Sequence, residues 1–217
     1  MSAFTSANID KILALKPDLV LTFSDLQANI VADLIRCGLN VHAFNQRTVA
    51  GILDMVRMLG AMVDTREKVR QLVETFEKGL AEARSHAVRL PKRPRVFFEE
   101  WDDPLISGIG WVSELIEIAG GIDIFADRRN QGAAKDRIVT AEEVVAREPD
   151  LIIGSWCGKR FRPERVAARD GFDCIPAVRN QELCEIKSSL ILQPGPAALT
   201  DGLSELQRII ERWAIRC

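Results

Sequence analysis

Tyrosine is absent from this 217-residue chain, and histidine occurs only twice, as His42 and His86. His86 falls in a helical pattern with no partner at metal-ligand spacing, so a histidine-built metal site is not expected. His42, near a strand end, could still meet a metal that a ligand carries. The five cysteines, Cys37, Cys157, Cys174, Cys184 and Cys217, are odd in number and scattered, with no Cys-x-x-Cys pair. They indicate neither a disulfide framework nor a zinc knuckle and read as small buried thiols, which leaves the redox compartment open. No apolar run approaches the roughly 20 residues of a membrane span. Met1 to Asn8 lacks a charged segment with an apolar stretch behind it, so a soluble chain without an export signal is expected. Lys and Arg number 29 against 31 Asp and Glu, interspersed, for a formal charge of −2. Without a basic stripe, nucleic acid is not an expected partner.

What is present is a repeat. Ile9-Asp-Lys-Ile-Leu-Ala-Leu-Lys-Pro-Asp-Leu-Val-Leu-Thr-Phe23 and Val139-Thr-Ala-Glu-Glu-Val-Val-Ala-Arg-Glu-Pro-Asp-Leu-Ile-Ile-Gly-Ser-Trp156 both read as a short helix, a Pro-Asp turn and an apolar strand ending in an aromatic residue. A repeat so far apart argues for two similar lobes, each offering a strand end to a shared cleft. That shape suits a binder before it suits a catalyst. With 47% hydrophobic residues the chain can bury a real core.

Strands are expected at Leu19 to Phe23, Val41 to Phe44, Val96 to Phe98, Leu151 to Ile153 and Ile175 to Val178, with helical patterns between them. This alternation implies an α/β fold with parallel sheets. Asp64 to Leu90 breaks the rhythm: Asp64 and Glu67 resemble a capping box, and Val69, Leu72, Val73, Phe76, Leu80, Ala83 and Ala87 recur at helical spacing before Pro91 and Pro94. A helix of about 25 residues is roughly 37 Å long, more than a crossover needs. It either joins the lobes or is an ordinary surface helix. The expected division is an N-terminal lobe over 1–63, a linker helix over 64–91 and a C-terminal lobe over 92–217. A last helix is expected over Thr200 to Ala214, capped by Thr200 or Asp201.

The segments from Asn8 to Val20, the long helix, Ser107-Gly-Ile-Gly-Trp-Val-Ser-Glu-Leu-Ile-Glu-Ile-Ala-Gly-Gly121 and Glu148-Pro-Asp-Leu-Ile-Ile resemble, in this order, the helical-backbone substrate-binding proteins of ABC importers. Within that family the chain most resembles the cobalamin-binding branch. Iron-siderophore and haem binders share the framework motifs. The resemblance implies two Rossmann-like lobes joined by one long helix, and a monomer that carries a corrinoid to the importer's membrane subunit. It implies no catalytic residues and no cofactor of the protein's own. Family members carry an export signal and a first strand-helix unit ahead of the position of Asn8. A truncated form, a misassigned start or a reduced form would account for their absence. The family location is periplasmic or at the cell surface, and cytoplasmic if the start is genuine.

A large flat ligand needs aromatic walls and a few orienting polar groups. Trp101 and Trp156 follow strands, and Trp111 opens a helix, so all three are expected at the cleft, while Trp213 on the last helix reads as packing. Phe23, Ser24, Phe44 and Asn45 take the matching positions in the N-terminal lobe. For any one of these aromatics, core packing is the alternative. Glu99, Glu100, Asp102 and Asp103 surround Trp101 and would serve as a glycosidase acid/base pair, as calcium ligands, or as a polar rim. The rim is preferred, because alternate strand residues face opposite ways.

Gly154-Ser-Trp-Cys-Gly-Lys-Arg160 looks like a phosphate loop but is one residue short and ends in Arg. Cys157 lacks a nearby base to make it a nucleophile. The family docks through an exposed glutamate on each lobe. Glu185 matches the C-terminal one, and Asp25 is a weak candidate for the other. Two other classes compete: a cleft enzyme using one of the four carboxylates, and a cytoplasmic protein that handles corrinoids or metals.

Overall fold

The computed structural model describes residues 5–216. The first four residues of the segment read for an export signal, and Cys217, lie outside the described residues. The chain divides into two compact units, Met1–Gln46 and Arg47–Cys217. Both mix helices with parallel strand pairs, so the α/β class holds.

In the smaller unit, α1 (Ile9–Ala14) starts where the Asn8 Oδ1 accepts the Lys11 N–H at 2.9 Å, satisfying one of the donors that a helix start leaves open. Lys16 then turns the chain with φ of +46°, and Pro17 cannot extend the helix. The chain enters β1 (Val20–Phe23), crosses through α2 (Ala28–Arg36) and returns in β2 (Val41–Phe44). The strands are parallel, with Val20 opposite Val41 and Phe23 opposite Phe44. Leu34 of α2 is fully buried.

The larger unit opens with α3 (Val49–Met62) and α4 (Arg66–Ala87), packed on one another. Gly60 permits the close approach, because a Cβ there would lie 2.3 Å from Val69 Cγ2. Val73, Phe76, Leu80 and Ala83 form the buried stripe of α4, which also packs on α5 (Gly110–Ile118). The expected capping box is not formed. The reversal from α3 to α4 puts Asp64 at φ +52°, Thr65 becomes the N-cap without a side-chain bond, and Glu67 pairs with Arg70 at 2.7 Å.

The sheet is built around β3 (Arg95–Asp102). One edge is shared by β5 (Ile122–Asp123), parallel to its start, and β4 (Leu105–Ser107), antiparallel to its end. On the other edge lie β6 (Leu151–Gly154) and then β7 (Leu183–Glu185), both parallel. Val96 to Phe98 and Leu151 to Ile153 are buried, as strands covered on both faces should be. Phe97 and Ile152 belong to a cluster with Phe125, Val144, Trp156, Phe161, Val166 and Phe172. Val96 and Phe98 point the opposite way along the pleat and lie near Gly121 and Gly108.

Before β6 comes α6 (Ala141–Ala146), with the Thr140–Glu143 capping box complete. After it come α7 (Pro163–Ala167), α8 (Pro176–Arg179) and, beyond β7, α9 (Ser188–Ile191). Ile175 to Val178 is therefore not a strand. Pro176 lacks the N–H that a ladder needs but suits the first helical position, and the strand lies later, at β7. The last helix begins as a π-helical turn over Ala198–Gly202 and continues as α10 (Leu203–Arg216). The Thr200 hydroxyl donates to the Pro196 carbonyl at 3.1 Å instead of capping.

The cysteines also differ from expectation. Cys37, Cys157 and Cys174 are exposed and Cys184 is half-buried, all as free thiols. Cys37 caps α2, Cys157 follows β6 and Cys174 ends a 3-10 turn.

Candidate functional site

In the smaller unit, register pairing brings Phe23 and Phe44 together at the ends of β1 and β2. Ser24, at φ +78°, donates its N–H to the Phe44 carbonyl at 2.8 Å and its hydroxyl to Asp25 at 2.9 Å. Gln27 Oε1 holds the Phe23 N–H at 2.9 Å. Both phenylalanines are half-buried, Ser24 is buried and Asn45 is exposed. The His42 ring meets Phe44 edge-on at 4.3 Å. Among the described residues no three metal-competent side chains converge.

In the larger unit the three carboxylates in the second half of β3, Glu99, Glu100 and Asp102, are engaged differently. Glu99, with 0% exposure, takes both terminal guanidinium nitrogens of Arg169, at 2.6 and 2.8 Å, and the Trp156 indole N–H at 2.8 Å. Register explains the next residue: Glu99 faces Ser107 and Trp101 faces Ile106, so Glu100 is the extra residue of a bulge. Its carboxylate is bound by buried Arg137 at 2.7 and 3.1 Å. Arg137 also donates to the Ser107 carbonyl. Asp102 receives the Lys159 ammonium on Oδ1, and Arg165 stands 3.8 Å from Oδ2. Burial pushes the Asp102 carboxyl up, but the Lys159 hydrogen bond and the two positive charges outweigh it and hold the group below the usual aspartate range. Asp103 is exposed, and its carbonyl accepts the Trp101 indole N–H at 2.9 Å. Instead of an open acid/base pair, the segment carries ion pairs.

The three tryptophans expected at the cleft part company. Trp101 is half-exposed, and the Lys159 ammonium lies 3.8 Å from its ring centroid. Trp156 is buried, set edge-on against Phe161 at 5.1 Å. Trp111 is 1% exposed and gives its only donor to the Ile191 carbonyl at 2.8 Å. Trp111 is thus a core residue of the larger unit, and Trp101 alone of the three offers an indole face. Trp213 is buried on α10, in keeping with packing. Glu185 is exposed at the end of β7, where one carboxylate oxygen accepts the Phe161 N–H at 3.1 Å.

Sequence reasoning missed Arg137, Lys159, Arg165 and Arg169. A signal existed, because carboxylates inside a strand beside Phe97 and Phe98 require cations. Which of 29 basic residues would answer was not readable. Lys159 follows Gly158, whose φ of +75° turns the chain back after β6, in the segment that looked like a phosphate loop.

Residues 1–190 match the model of a family described as periplasmic binding protein. An uncharacterized ABC transporter substrate-binding lipoprotein, YvrC, of Bacillus subtilis is 25% identical over 214 residues, 94% of this chain and 65% of that protein. A vitamin B12-binding protein of Salmonella typhi is 32% identical over 156 residues, 70% of this chain and 57% of that protein. The chain thus spans less than two thirds of either relative's length. The crystal structure of the periplasmic vitamin B12 binding protein BtuF of Vibrio cholerae superposes with a TM-score of 0.72 at 23% identity, over 97% of this chain and 80% of that one. At this identity the likeness is one of fold.

Proposed function

Because the chain belongs to the periplasmic binding protein family, we propose that it is the monomeric substrate-binding component of an ABC importer, capturing a corrinoid outside the cytoplasmic membrane for the membrane subunit. The observation that carries this reading is the family match along residues 1–190. The choice of a corrinoid draws support from the Salmonella typhi relative, named a vitamin B12-binding protein. The proposed ligand contacts are Phe23, Ser24, Phe44 and Asn45 in the smaller unit and Trp101, backed by Trp156, in the larger. Trp111 is left out because its ring is buried. Glu185 is the proposed docking group of the C-terminal lobe. The proposed lobes are 1–63 and 92–217, with 64–91 as the linker helix.

A flat ligand stacked on a half-exposed indole gains affinity from burial and quenches its emission. The test is a tryptophan-quenching titration with cyanocobalamin, haemin and a ferric hydroxamate. Saturable quenching by cyanocobalamin, reduced in Trp101→Phe, is expected. Saturation by haemin or the hydroxamate without any by cyanocobalamin overturns the corrinoid reading and leaves the family role in place.

A further inference from the structure

We propose that Lys159 is a built-in competitor for the Trp101 face, so that a ligand settling there displaces an ammonium and one bearing a carboxylate is selected over a neutral one of the same size. The inference rests on the binding role of Trp101 proposed above. In the present structure that face is occupied: the Lys159 ammonium is 3.8 Å from the Trp101 ring centroid and 5.7 Å from that of Trp156. A cation over an indole face is held by the ring's quadrupole, and Asp102 adds a charged hydrogen bond from the side. A flat ligand cannot stack on the same face until the ammonium leaves.

Departure is feasible because the arrangement is not locked. The Lys159 side chain is 40% exposed, whereas that of Asp102 is only 5% exposed. Asp102 is not stranded when Lys159 moves, because Arg165 remains 3.8 Å from its second oxygen. Gly158, immediately before Lys159, has open space around its Cα. The same loop carries Arg160, which has no ionic partner among the described residues, and Arg162, which reaches Glu164 only at 4.0 Å. A displaced Lys159 therefore meets the two arginines of its own loop, while the nearby carboxylates Glu185 and Glu164 already face the Phe161 N–H and Arg162. A neutral ligand offers it no new partner, while a ligand carboxylate does.

The decisive experiment compares wild type with Lys159→Ala, using cyanocobalamin and its monocarboxylic acid, which differ by one charge. Removing an exposed cation–π contact and ion pair should tighten cyanocobalamin by about three- to tenfold. The preference for the acid should shrink by a similar factor. An unchanged or weaker affinity for the neutral corrinoid overturns the inference. A ligand-free readout stands beside it: acrylamide should quench Lys159→Ala more than wild type, and the increment should vanish when Trp101→Phe is added. Without that increment Lys159 does not cover Trp101, and the inference fails. If the increment appears but no form binds either corrinoid, the corrinoid reading and the proposed selection both fall, while the cover itself stands. A thermal midpoint on each variant confirms folding.

Discussion

Glu99 and Arg169 form a two-pronged ion pair at 2.6 and 2.8 Å in which the carboxylate has no exposed surface. Removing one partner of such a pair leaves an uncompensated buried charge and costs about 3–5 kcal/mol. Arg169→Met is expected to fall in that range by urea denaturation, because the Trp156 indole alone cannot replace a guanidinium. Glu99→Leu combined with Arg169→Met removes both charges and should recover most of the loss. A double variant no more stable than Arg169→Met would mean that packing around Arg169, and not the charge, is what matters.

The tryptophans separate stability from binding. Trp111→Ala removes a buried ring and leaves the Ile191 carbonyl without its donor, so a loss of about 3–5 kcal/mol is expected. Trp101→Ala removes a half-exposed ring and should cost about 1 kcal/mol or less. Thermal melts of the two proteins check this. Equal losses would place Trp101 in the core as well.

Four consecutive buried positions made β3 and β6 legible, and in the less buried β1 and β2 the apolar run itself was the signal, helped in β1 by the Pro-Asp turn before it. The three-residue β4 and β7 and the two-residue β5 are too short to show a period and are fixed by pairing to β3 and β6. At the candidate site, Trp101 was nameable from the end of an expected strand and Glu185 from the family resemblance, although the strand that carries Glu185 was expected elsewhere. The burial of Trp111 was not, since a tryptophan opening a helix after Gly108-Ile109-Gly110 reads the same whether its ring faces a ligand or Ile191. The arginine partners of Glu99 and Glu100 come from 70 and 37 residues away, and no local rule connects them.

Two buried aspartates give opposite pH dependence. Asp102 lies below its ordinary value of 3.8 because Lys159 and Arg165 outweigh its burial. Its contribution to stability is therefore present above pH of about 4 and lost as pH falls through the lowered folded value. Asp123 is pushed above 3.8, chiefly by burial, which outweighs the hydrogen bond that its Oδ1 accepts from the Phe125 N–H at 3.0 Å. Its contribution is full below 3.8 and is lost as pH rises through the raised value. Asp102→Asn should therefore lessen the fall in stability on acidification, and Asp123→Asn should lessen the fall on going from acid toward neutral pH. Denaturation curves from about pH 2 to about pH 7, which bracket the carboxylate range, test both signs, and a shared sign refutes the assignment.

Lys16 and Glu148 occupy the same place in the two copies of the repeat, each between a short helix and a Pro-Asp turn, and each takes a left-handed backbone, φ +46° and +41°. That conformation costs a residue with a Cβ about 1–2 kcal/mol, whereas glycine avoids the strain and loses about 0.5–1 kcal/mol in chain entropy. Lys16→Gly and Glu148→Gly are therefore each expected to stabilise the protein by about 0.5–1 kcal/mol. Valine at either position, β-branched and intolerant of positive φ, should destabilise it. The effects should add, because the two turns belong to separate compact units. Urea midpoints of the glycine variants decide the point. A loss of stability on Gly substitution at Glu148 would show that its side chain contributes more than its backbone strain costs, and that the two turns, alike in sequence, are held by different forces.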